Sequence, residues 1–249
     1  MNIVFEIVSY TIESALRAQE GGADRVELCD NPGAGGTTPS AGMVAQVRQH
    51  LSIDLFVMIR PRDGDFLYSI DEYHAMRKDI EMCKRASADG VVLGILKADG
   101  TLDKERCRKL IEFARPMKVT CHRAFDMTRD PLEALEDCID AGFDRILTSG
   151  QQSKAIQGTA LLRDLIQQAG DRIIVMPGAG IDETNAAQIL SQTGAIEIHF
   201  SAAAVRQSHM QFRNDRLRGM GFEPDSDWSV RTVDPQRIRA IRQAVRQMK

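Results

Sequence analysis

Short runs of aliphatic and β-branched residues recur along this chain about every 27 residues, and an amphipathic stretch follows each of them. Candidate strands begin near Ile3, Arg25, Leu55, Gly90, Val119, Arg145, Ile173 and Ala195. That spacing holds one strand, one helix and two short connections. Many runs are entered in the same way: GGADRVEL (21–28), SADGVVLG (87–94), AGFDRILTSG (141–150), AGDRIIVMPG (169–178) and TGAIEIHFS (193–201). The pattern reads as a helix closed by a glycine in the left-handed conformation, a short turn, then a strand. Helix starts are marked by Thr38-Pro39, Asp130-Pro131 and Asp234-Pro235, each a capping residue before a proline suited to the first helical position. Eight strands, each followed by a helix, make a (β/α)8 TIM barrel. The count of eight and the lack of a break into halves favour the barrel over a doubly wound open sheet. No Pro/Ser-rich linker interrupts residues 1–249, so the expectation is a single α/β domain. Residues 203–233 have no clean periodicity and read as a long loop after the eighth strand, placed over the barrel mouth as a lid.

Composition narrows the function classes. A formal net charge of −3 in 249 residues argues against a nucleic-acid binder, which usually presents a basic face. No run of 18 apolar residues is present, so no membrane-spanning helix is expected. The first residues carry Glu6 within their apolar stretch and no basic n-region, which does not resemble a secretory signal, so the expected location is cytoplasmic. The five cysteines (Cys29, Cys83, Cys107, Cys121 and Cys138) form no CxxC pair. They are expected as free thiols rather than as disulfides or a structural zinc site.

Barrels of this design carry their active sites at the C-terminal ends of the strands. The polar residues expected there are Glu6 on the first strand, Glu27 and Cys29 on the second, and Arg60 on the third. Lys97 follows the fourth, His122 and Arg123 end the fifth, and Ser149-Gly150 follow the sixth. Pro177-Gly178-Ala179-Gly180 ends the seventh, and the eighth carries Glu197, His199 and Ser201. Alternate strand residues share a face, so Glu27 aligns with Cys29, and Glu197 with His199 and Ser201. Barrel interiors are normally aliphatic. Glu27, Arg60 and His122 break that pattern and are the candidate catalytic set for an enzyme. Glu197 and His199 fit internal packing equally well.

The glycine-rich stretch Asn31–Gly42 and the segment PGAGI (177–181) expose N–H groups suited to anions. Ser149, Gly150, Gly178, Ala179 and Gly180 form a candidate anion-binding set. Cys29 is the thiol expected at a strand end, while Cys121 should face the helix layer, and Cys83, Cys107 and Cys138 should pack as small apolar groups. A thiolate beside an imidazole suits Cu(I) or Zn, which makes Cys29 and His122 the candidate metal ligands. His50, His74 and His209 read as solvated. Met210 and Met220 are thioether donors with no strong claim.

At these residues the sequence resembles the CutC family, the copper homeostasis proteins. The resemblance rests on GGADRVELC (21–29), GGTTPS (35–40), VMIRPRDGDFLYS (57–69), CHRAFDM (121–127), LTSG (147–150), VMPGAGI (175–181) and HFSA (199–202), and it runs over nearly the whole chain. It implies a TIM barrel, a cytosolic location, and a role in copper tolerance or trafficking that includes Cu(I) binding. The family's cysteine at the end of the second strand matches Cys29, and its HRAFD block matches His122–Asp126. Some members carry a second cysteine just after the first strand, where this sequence has Val8. A copper ion would then need Cys29 with His122, with another polar group, or with a second subunit. Two functions stand side by side: a copper-binding protein, and a barrel enzyme acting on a small anionic or phosphorylated metabolite. In the enzyme, Arg60 would pair with the anion and Glu27 or His122 would serve as acid or base. A homodimer is expected, although no helix face announces one.

Overall fold

A computed structural model describes residues 3–214, 216 and 226–248. The strands are β1 (Val4–Ser9), β2 (Arg25–Leu28), β3 (Asp54–Met58), β4 (Gly90–Leu93), β5 (Lys118–Cys121), β6 (Arg145–Thr148), β7 (Ile174–Pro177) and β8 (Glu197–Phe200). They form one parallel eight-stranded sheet in the order β7-β6-β5-β4-β3-β2-β1-β8. A parallel bridge between Gly178 and His199 brings β7 to β8 and closes the barrel. The helices are α1 (Ile12–Gly21), α2 (Ala41–His50), α3 (Ile70–Arg85), α4 (Lys104–Ala114), α5 (Pro131–Ala141), α6 (Thr159–Ala169), α7 (Ala186–Thr193) and α8 (Pro235–Arg246). The fold is therefore the expected TIM barrel. Among the described residues, no helix is long and apolar enough to cross a membrane.

Each repeat is held at both ends by side chains the sequence supplies. Helix α5 starts at Asp130, whose carboxylate accepts from Leu132 and Glu133 N–H, and it ends on Gly142 at φ 93°. Helix α8 starts at Asp234 in the same manner. The second helix departs from expectation: it begins at Ala41 and is capped by Ser40, not by Thr38. Thr38 is engaged elsewhere, since its hydroxyl accepts from Arg60 N–H at 2.9 Å. At the opposite, N-terminal rim, Asp24, Asp89 and Asp144 each accept a backbone N–H from the preceding strand, at Phe5, Leu55 and Val119 (2.8–2.9 Å). This repeated carboxylate latch fixes where a strand begins.

The strand residues facing outward, such as Ile7, Val26, Leu28, Leu55, Val57, Val91 and Val119, are fully buried against the helices. Cys121 faces this layer as expected and packs with Cys107 and Cys138, all three free and buried. The segment after β8 is not a plain loop. Its two ends form an antiparallel ribbon, β9 (Ala203–Gln207) with β10 (Ser229–Val233), because alternate residues of the two runs can pair back to back. The ribbon's β10 packs against α1. Positions 215 and 217–225, including Met220, lie outside the described residues. Met210 is exposed, as are His50, His74 and His209.

Candidate functional site at the barrel mouth

The inside of the barrel is built in polar tiers. Parallel pairing sets Glu6 beside Arg25 and, on its other side, beside His199. In the lower tier, Arg25 donates to both Glu6 and Glu197. Arg145 grips Glu197 with two N–H groups, at 2.8 and 3.1 Å. The Phe56 ring lies between the two guanidinium groups, 4.8 Å from Arg25 and 5.2 Å from Arg145. Two cations thus face two anions with hardly any water access, an arrangement that holds only when the charges are matched.

The upper tier differs. His199 stands between two carboxyls, its Nδ1 3.9 Å from Glu6 Oε1 and its Nε2 3.3 Å from Glu27 Oε2, without the alignment of a hydrogen bond. Burial pushes the Glu27 carboxyl up to about 8, and the Glu6 charge adds to the shift. Glu6 itself is pulled below the usual carboxylate range: burial works against ionisation, but Arg25, His199 and Arg145 outweigh it. Burial also lowers His199, against the opposing pull of Glu6.

His122 ends β5 with its ring packed on Gly94, where a Cβ would come within 2.9 Å of the imidazole. Its Nδ1 accepts the Ala124 N–H at 3.2 Å. That bond assigns the ring proton to Nε2. Burial, reinforced by the Arg60 charge, depresses His122 to about 3. The result is a neutral imidazole whose buried Nε2–H has no partner among the described residues.

Glu27, His122 and His199 line one cavity of about 120 Å³, walled on its apolar side by Val8, Met58, Phe66 and Leu147. Arg60 and Arg123 reach the same cavity. Arg60 is less free than the sequence suggests. Its terminal nitrogens donate to the carbonyls of Ala34, Gly36 and Gly64, so it staples the loops after β2 and β3. Its Nε is buried without a partner.

The loop donors after β6 are also spoken for. Ser149 and Gln151 N–H point to the Asp126 carboxylate (3.1 Å each), and Gly150 N–H points to Thr148 Oγ1. Asp126 thereby fills the place of an anion at Ser149-Gly150. Arg123 closes the group through Asp126 and Ser149. After β7, Gly178 N–H goes to Thr148 O, while Ala179 and Gly180 sit at φ 79° and 66°. Lys97 is exposed on the loop after β4 and faces a different cavity, and Ser201 is exposed beyond β8.

Cys29 lies beneath Gly36. A Cβ on that glycine would sit 3.2 Å from Cys29 Sγ and 3.5 Å from the Met58 methyl carbon, and φ there is 101°. The thiol is buried beside Met58, Phe56 and Val92. Burial and the Glu27 charge push it well above the ordinary thiol range. His122 lines the cavity and Cys29 does not. Among the described residues, no group of three or more His, Cys, Asp or Glu side chains is disposed to hold a metal ion. Arg25 and Arg145, which neutralise the interior, were not singled out from sequence. The repeated Asp-Arg step at Asp24-Arg25 and Asp144-Arg145 was the available signal.

Residues 3–204 match the profile of the CutC family. The chain belongs to the CutC family. A copper homeostasis protein cutC homolog of Homo sapiens is 47% identical over 238 residues, covering 96% of this chain and 87% of the human protein. A family protein CutC of Chromobacterium violaceum is 48% identical over 245 residues, 98% of this chain and 99% of that protein. A solved CutC structure from Streptococcus agalactiae superposes with a TM-score of 0.77 at 32% identity, covering 80% of this chain and 98% of that one. The interior of this CutC-family barrel thus carries matched ion pairs below and unpartnered polar atoms above.

Proposed function

We propose that this chain serves copper homeostasis. The observation that carries the reading is its 47% identity, over nearly all its length, to a protein named for that role. Copper is its cargo, and the donor set present suits Cu(I) in one place. Cys29 supplies a thiol, and Met58, a residue sequence reasoning did not select, packs in the same cluster with its methyl carbon beneath Gly36, which makes its thioether the second soft donor of this reading. Two soft sulfur donors satisfy two-coordinate Cu(I). The thiol must lose its proton to bind. His122, the partner expected from sequence, lines the mouth cavity instead. We place the protein in the cytoplasm and expect a homodimer, which light scattering on the purified chain checks.

Anaerobic Cu(I) competition against a coloured chelator tests the copper reading on wild type, Cys29→Ala and Met58→Leu. Tight binding that is lost in Cys29→Ala and weakened at least tenfold in Met58→Leu supports it. Binding indifferent to Cys29 sinks it.

A second reading, a barrel enzyme acting on a small molecule, is favoured by one observation. Glu27, His122, His199 and Arg60 line one cavity, and their Oε1, Nε2, Nε2 and Nε atoms are buried without hydrogen-bond partners among the described residues. Leaving one such group unpaired costs about 1–3 kcal/mol, so four at one place ask for a ligand. The phosphate arm of this reading loses support, because Asp126 occupies the Ser149 and Gln151 donors. What remains for an anion in the expected set is the pair of N–H groups at Ala179 and Gly180, since Gly178 N–H goes to Thr148 O. Saturation-transfer NMR against small metabolites, repeated on a Val8→Phe variant that fills the cavity, tests whether the mouth binds anything.

A further inference from the structure

The mouth cavity can be read further through its hydrogen-bond inventory, taking the enzyme reading as its basis. His122 Nδ1 is used by the Ala124 N–H, so Nε2 carries the ring proton and can only donate. Arg60 Nε–H is a second donor, also without a partner. Both groups flank one ring: Phe66 lies 4.9 Å from the imidazole and 5.0 Å from the Arg60 guanidinium carbon. Two orphan donors on one wall call for an oxygen that accepts twice. Glu27 stands on β2, three strands round the barrel from β5; it lines the same cavity and keeps a carboxyl oxygen with no partner among the described residues. His199 lies behind it, 3.3 Å from its other oxygen. Among the described residues no lysine lines the cavity, so they offer it no amine for a Schiff base. A dry cavity of 150 Å³ holds benzene, so one of about 120 Å³ admits a molecule of up to roughly six heavy atoms.

We infer that this cavity catalyses proton transfer at the carbon next to the carbonyl of a small hydroxycarbonyl compound, with His122 and Arg60 holding the carbonyl oxygen and Glu27 carrying the proton. Once ionised, which for Glu27 happens at about pH 8, its carboxylate takes the proton, and an O–H bond forms as the C–H bond breaks. The C–H electron pair becomes the carbon–carbon double bond, and the carbonyl π pair moves onto oxygen. The His122 and Arg60 N–H groups stabilise that oxyanion where its charge develops. Return of the proton from Glu27 to carbon reverses the electron flow. The step consumes no oxidant or co-reactant. A neutral imidazole is the better donor here, because it polarises the oxygen without surrendering its proton.

Proton NMR in D2O tests the inference on the full chain with dihydroxyacetone, glyceraldehyde, hydroxyacetone and pyruvate as probes. Saturation transfer on the same samples reports binding. Wild type is expected to exchange the C–H next to the carbonyl of at least one probe about 100-fold faster than buffer alone. Glu27→Gln should lose that exchange while still binding the probe. His122→Phe should slow it at least tenfold, and His122→Gln, which keeps a donor, should recover part of it. Acetohydroxamate, a planar mimic of the enediolate, should inhibit wild type, a readout that needs no variant to fold. A probe that binds without exchange overturns the proton-transfer assignment and leaves the enzyme reading standing. Failure of every probe to bind overturns both, and exchange undiminished in Glu27→Gln overturns the assignment alone.

Discussion

The lower and upper tiers of the barrel interior are built from the same strands, yet they treat buried polar groups in opposite ways. Glu197 in the lower tier accepts from two arginines, and Arg25 bridges two carboxylates. One turn of register higher, Glu27, His122 and His199 keep atoms with no partner. Glu6 links the tiers: one oxygen faces down to Arg25 and the other up toward His199. The difference separates two uses of buried polarity. Paired charges fill and define a barrel that aliphatic residues would fill elsewhere. Unpaired groups carry a standing cost that folding alone does not explain.

The largest test of this contrast is Arg25→Met. It leaves Glu6 without its hydrogen-bond donor and Glu197 with Arg145 alone, and urea unfolding should show a loss of about 3–5 kcal/mol. A loss below about 1 kcal/mol would remove the distinction between the tiers. Next comes Glu27→Gln. Between pH 4.5, the ordinary value, and about 8, the native state holds a proton that the unfolded chain has released. Stability therefore falls as pH rises through that window, and the variant should regain about 3 kcal/mol at pH 8.5 and nothing at pH 4. Denaturant melts at the two pH values decide it.

His122→Phe acts on the acid side. The native imidazole refuses a proton down to about pH 3, whereas the unfolded one accepts it near 6.5. Wild type thus loses stability as pH falls below 6.5, and the variant should hold about 2 kcal/mol more at pH 4.5 with little change at pH 8. Matching pH–stability curves for the two proteins would contradict the buried neutral imidazole. The smallest effect is expected at Ala202, held at φ 42° just past β8. Ala202→Gly relieves a left-handed alanine at the cost of a looser unfolded chain, a net gain of about 0.5 kcal/mol readable as a small rise in Tm.

Much of the mouth was legible because a barrel strand has a period of two. Glu27, Arg60, His122, His199 and Cys29 could be assigned to strand ends from alternation alone. Their roles were less accessible. Arg60 looked like an anion ligand but spends its terminal nitrogens on three carbonyls from two loops, contacts made across 4 to 26 residues. Ser149 and Gly150 looked like anion donors, yet Asp126 reaches Ser149 N–H from the preceding repeat and Thr148 Oγ1 takes Gly150 N–H. Thr38 looked like a helix cap until Arg60 claimed it. In each case a backbone or side-chain group from a neighbouring repeat competed for the residue, and single-chain patterns carry no record of that competition.

The repeat length, the glycine and aspartate punctuation and the outward aliphatic face determined the eight-fold barrel, because those signals act within a few residues and every unit repeats them. The family-bearing segments determined the kinship. Only closure of the barrel decided which interior charges are paired. Glu6, Arg25, Arg145 and Glu197 come from strands up to 191 residues apart in the chain, and the desolvation that forces them together exists only once the cylinder is shut.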